Sequence, residues 1–128
     1  MDLLTYLRAD LVPLMKRREK VALRAVRDAI SAIENAETSY LATPAKVGSA
    51  SEFVAGALTF GTAERVVRPL SDAEMWGLAR AEVDRRLEDA VQLREHGDVD
   101  RALMLKAEAL ALSDRLDAWR PEGPDAPA

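Results

Sequence analysis

Apolar positions recur at helical spacing in four stretches of this chain. Leu3, Leu4, Leu7, Leu11, Leu14 and Met15 share one face if residues 2 to about 16 are helical. Pro13 stands near the end of that stretch, where it is expected to kink or shorten the helix. From about 19 to 37, Ala22, Val26, Ala29, Ile30 and Ile33 gather on one side, which predicts a cleanly two-faced helix. A third helix is predicted from about 72 to 95, with Met75, Leu78, Ala79, Val83, Ala90 and Leu93 inward. A fourth covers about 98–119. Its Ala102, Leu105, Ala109, Leu112 and Leu116 form one stripe, and Val99, Leu103 and Leu110 form a second beside it. So wide an apolar face predicts contact with more than one neighbouring helix.

Local signals set the boundaries. Ser71 and Glu74 fit a capping box, in which each side chain satisfies a backbone N–H that the helix leaves unpaired. Gly97 suits the left-handed position just past a helix end, and Asp98 suits the next N-cap. The close "HGD" turn predicts an antiparallel hairpin. Arg86 falls on the apolar face of its helix, where it is expected to snorkel or to pair with Glu82 one turn earlier. Residues 38–70 break the periodicity. Gly, Ser, Thr, Ala and Pro at 38–51 read as loop, and "SEFVAGALTFG" reads as a short helical turn carrying Phe53, Val54, Leu58 and Phe60. The proline-rich end, 121–128, is expected to be disordered. The fold class is therefore all-α. It is a helical bundle of two hairpins, about 2–37 and 72–119, joined by a long insert within one domain spanning 1–120.

Composition narrows the function. A chain of 128 residues suits one domain with a modest core. It has no cysteine, so disulfides, thiolate metal sites and cysteine nucleophiles are excluded. The first residues, "MDLLTYLRADLVPLMKRREK", are interrupted by Asp2, Arg8 and Asp10, unlike a signal peptide or a membrane span. A cytoplasmic location with no membrane partner is the expectation. Net charge is −4, against the basic excess of a general nucleic-acid binder. DNA is not an expected partner. The acid excess lies in 71–120, so any RNA contact is expected in the N-terminal half.

Few residues carry candidate chemistry. His96 is the single histidine, and beside a glycine cap it suits a helix C-terminus better than a metal site. Glu82, Asp84, Glu88 and Asp89 could make a hard-metal or acid–base cluster. Arg80, Arg85 and Arg86 interleave with them, however, as on a solvated, ion-paired face. "GALTFGTAE" lacks phosphate-loop spacing. Ser31, Ser71 and Ser113 have no base nearby in the pattern. No catalytic, cofactor-binding or metal-binding residue is expected, and no cofactor.

One feature stays open between two readings. Arg17, Lys20, Arg24 and Arg27 are spaced by three, four and three positions, with Lys16 and Arg18 at the end. On a helix they form one stripe opposite Val26, Ile30 and Ile33, with one turn rising about 5.4 Å. The stripe is either a phosphate-contacting ridge for RNA or an acidic partner, or the hydrated outer face of a helix.

The order of segments resembles the GatB/YqeY family, small bacterial proteins similar to the tail domain of the GatB component of the aspartyl/glutamyl-tRNA amidotransferase. The likeness begins at "LLTYLRADLVPLMKRREKVALRAVRDAISAIENAE", where Met15, Lys16, Leu23, Arg24, Ala32, Ile33, Asn35, Ala36 and Glu37 fit the family pattern. It resumes at "LSDAEMWGLARAEVDRRLEDAVQLREHGDVDRALMLKAEALAL". "SEFVAGALTFGTAERVVR" is similar to the insert of a high-GC Gram-positive subgroup. Asp98 stands where the family turn often has Arg, and "LDAWRP" resembles the junction after which longer members carry a second helical subdomain. The resemblance implies a non-catalytic module associated with tRNA or with an amidotransferase partner protein. It also names a reaction class, carbon–nitrogen ligation with glutamine as amido-nitrogen donor, in which the chain would participate rather than act alone. A homo-oligomeric structural module without an RNA role is the remaining alternative.

Overall fold

The computed structural model describes residues 1–47 and 69–121, with side chains described for 1–38 and 69–121. Among them lie five helices and no strand: α1 Leu3–Ala9, α2 Leu11–Lys16, α3 Lys20–Val47, α4 Asp72–Glu95 and α5 Val99–Ala118. The all-α bundle expected from the periodicity is what the chain forms. It divides into two compact units, Met1–Ile33 with Ser71–Ala128, and Glu34–Leu70. The expected short helix at 51–61 and the tail 122–128 lie outside the described residues.

The core of the first unit is made by the apolar faces. Leu3, Leu7, Leu14, Val26, Ile33, Val83, Leu112 and Leu116 are almost wholly buried. Alanines at 22, 25, 29, 79, 102 and 109 are also buried, so helix backbones can approach closely. α4 and α5 pack against each other along the hairpin. At its other end α5 is fastened to the chain start. Trp119 is buried and its indole Nε1 donates to the Met1 carbonyl at 3.3 Å, while the Met1 amine donates to the Pro121 carbonyl at 2.7 Å. Arg115 adds an ion pair to Asp10, at the junction of α1 and α2.

Four expectations are corrected. The first stretch is two helices, broken at Asp10 rather than after Pro13. Pro13 falls in the first turn of α2, where its missing N–H has no intrahelical partner to lose, so it opens a helix instead of closing one. Met15, expected inward, is 45% exposed. The second helix runs past 37 to Val47. Extending a formed helix adds a hydrogen bond per residue without a new nucleation cost, so indifferent formers can continue it. In the second unit the Thr38 hydroxyl bonds back to the Glu34 carbonyl at 3.2 Å. Finally, the second apolar stripe of α5 is not buried. Val99, Leu103 and Leu110 are each about half exposed.

The two chain reversals have one hydrogen-bond pattern and different residues. After α4, Gly97 at φ 87° donates to the Arg94 carbonyl at 3.0 Å and Asp98 donates to Leu93 at 2.9 Å. This is the Schellman arrangement, and glycine meets its left-handed requirement without a Cβ clash. Asp98 then caps α5, accepting from the Arg101 amide. After α2, Arg18 occupies the same position at φ 57°; its amide donates to Met15 and that of Glu19 to Leu14. A bulky side chain in that region costs about 1–2 kcal/mol.

Candidate nucleic-acid interface

The basic residues sit on two elements, not one. Lys20, Arg24 and Arg27 lie on α3, whereas Lys16 ends α2, Arg17 is its C-cap and Arg18 is the left-handed joint. All six are exposed, as the pattern opposite Val26, Ile30 and Ile33 predicts. The spacing from Arg17 to Lys20 is thus set by a turn rather than by a continuous helix.

Their partners differ. Arg17 pairs with Glu19 at 2.5 Å. Arg24 approaches the Glu108 carboxylate only to 3.9 Å and keeps a side chain 68% exposed. Arg27 Nη2 reaches Met15 Sδ at 3.5 Å, a contact between the N-terminal third of α3 and the end of α2. Among the described residues Lys16, Arg18 and Lys20 have no ion-pair partner. An exposed pair such as Arg17–Glu19 contributes little and is easily exchanged for another anion.

The nearby carboxylates face a different cation. Arg86, on α4, is buried and donates through Nε to Glu108 at 3.0 Å, through Nη1 to Glu82 at 2.9 Å, and through Nη2 to Asp28. Glu108 is itself 2% exposed. Burial alone would depress the Arg86 pKa; the hydrogen bonds to Glu108, Asp28 and Glu82 outweigh it and hold the group above its ordinary value. Periodicity identifies the Glu82 partner. It does not identify Asp28 or Glu108, which lie on other helices and carry no local signal. Arg86 thus engages the buried Glu108 and the half-exposed Asp28, while Glu19 stays exposed within the stripe beside Arg17.

Most of the other candidate residues take part in helix caps and ion pairs. His96 is the C-cap of α4, and its Nδ1 donates to the Gln92 carbonyl at 2.8 Å. Ser71 and Glu74 form the reciprocal capping box at 3.1 and 2.8 Å. Ser113 accepts from Arg80 at 3.2 Å. Glu82 is engaged by Arg85 and Arg86, and Asp84 by Arg80. Among the described residues no three side chains of metal-ligating type come together, and no helix is long and apolar enough to cross a membrane.

No protein-family model, curated protein or solved structure matches this chain.

Proposed function

We propose that this chain is a non-catalytic helical module of the GatB/YqeY type that associates with tRNA, alone or beside an amidotransferase partner, through Lys16, Arg17, Arg18, Lys20, Arg24 and Arg27. One observation carries the reading. Six cations are exposed across the α2–α3 joint, and only Arg17 is held in a close ion pair. A ridge of this kind recognises phosphate by charge and reads no sequence. Arg86 engages the buried Glu108 and the half-exposed Asp28, so neither carboxylate is left without a cation beside the ridge. Chemistry belongs to the partner, with glutamine as the nitrogen donor.

The experiment compares tRNA binding by the native chain with a variant in which Arg17, Lys20, Arg24 and Arg27 are all glutamine. The proposal expects weak binding that the variant loses while keeping its helical content. Equal binding by both makes the stripe a solvated face. Amidation of misacylated tRNA by the isolated chain, given glutamine and ATP, would overturn the non-catalytic assignment.

A further inference from the structure

Near their connecting turn, α4 and α5 leave a groove of about 300 Å³ on the surface. Its floor holds two small buried residues, Ala90 and Ala102. Its walls are apolar and open to solvent: Val91 is 58% exposed, Val99 49% and Leu103 60%. The charged residues lining it are both cations, Arg94 on α4 and Lys106 on α5. Arg80, Arg85 and Arg86 on α4 all have carboxylate partners. Among the described residues Arg94 and Lys106 have none.

We propose that this groove binds a partner protein through an amphipathic helix whose apolar stripe is flanked by Asp or Glu. The apolar floor and walls accept side chains at the i, i+3, i+4, i+7 spacing of a docked helix. The two unpaired cations supply the charge that the flanking carboxylates meet. A nucleic-acid backbone would satisfy Arg94 and Lys106 but leave the apolar walls facing phosphate and water. A second copy of this chain, groove to groove, would bring two Arg94 and two Lys106 into one contact, which like-charge repulsion opposes. This inference does not depend on the tRNA reading, because the groove and the basic stripe share no residue.

Two synthetic amphipathic helical peptides test it against the full chain, one with leucines on one face flanked by glutamates, the other with lysines in place of the glutamates. Binding is followed by backbone amide shifts and by fluorescence anisotropy. The glutamate peptide should move the amides of Val91, Arg94, Val99, Leu103 and Lys106. It should bind on the order of tenfold more tightly than its lysine twin. Arg94→Glu with Lys106→Glu should reverse that preference, and Leu103→Ser should weaken both peptides. All three positions are exposed, so the variants should remain folded. No binding of the glutamate peptide, equal binding of both peptides, or shifts at other residues would overturn the proposal. So would a dimer in sedimentation that Leu103→Ser dissolves, because the groove would then belong to a second copy.

Discussion

Arg86 Nε donates to Glu108 Oε1 at 3.0 Å, and both side chains are buried. The bond joins α4 to α5, and the same guanidinium reaches Asp28 on α3, so one cation ties three helices. The two partners are not equivalent. Without Glu108, Arg86 retains Glu82 and Asp28. Without Arg86, Glu108 is left buried with Arg24 at 3.9 Å as its nearest cation. Breaking a buried pair by orphaning a charge costs about 3–5 kcal/mol. Arg86→Met should fall in that range by urea denaturation, and Glu108→Leu should cost clearly less. The double variant should be more stable than Arg86→Met alone, because no buried carboxylate is stranded. Simple additivity of the two losses would contradict this.

Arg18 gives the opposite sign. Its φ of 57° is a conformation that glycine adopts freely. Arg18→Gly should stabilise the protein by about 1 kcal/mol, the lower end of the left-handed penalty. Calorimetry should show a rise in Tm of roughly 4 °C for a domain of this size. A fall in Tm would mean that the Arg18 side chain contributes more than its backbone costs.

How much of the fold is legible in the chain follows from the range of each signal. Ser71 with Glu74, and Gly97 with Asp98, declare helix ends through side chains only a few positions apart, and both ends form as the pattern predicts. The inward faces of α3 and α4 follow from periodicity because each buries against neighbours on one side. The joint at Arg18 escapes the pattern because an arginine fills a position whose usual marker is glycine. Pro13 reads as a stop, although a proline in the first turn is a start. Leu103 and Val99 read as core on hydrophobicity, which cannot distinguish a core contact from an exposed docking surface. The basic stripe reads as one helix face, whereas a turn separates Arg17 from Lys20.

The N-cap of α1 makes a pH prediction. The Asp2 pKa lies below its ordinary value, chiefly because its carboxylate accepts the Thr5 amide hydrogen bond, at 2.8 Å. A carboxylate with a depressed folded pKa contributes stability above its unfolded value of about 3.9 and loses it as pH falls through the lower folded value. Asp2→Asn keeps a capping oxygen that does not titrate in this range. The variant should therefore lose less stability than the native chain on acidification from pH 5 to below about 4. Parallel acid limbs in denaturant titrations would show that the cap does not contribute to them.

If the exposed cations at the α2–α3 joint meet RNA phosphates, tRNA affinity must fall steeply with salt. Each phosphate neutralised contributes about 0.7–0.9 to the slope of log affinity against log salt. The native chain should show a slope of a few units. Changing Arg17, Lys20, Arg24 and Arg27 to glutamine should flatten it by about three while thermal stability holds, because these side chains are exposed. The same slope in native and variant chains would place the RNA contact elsewhere and contradict the account.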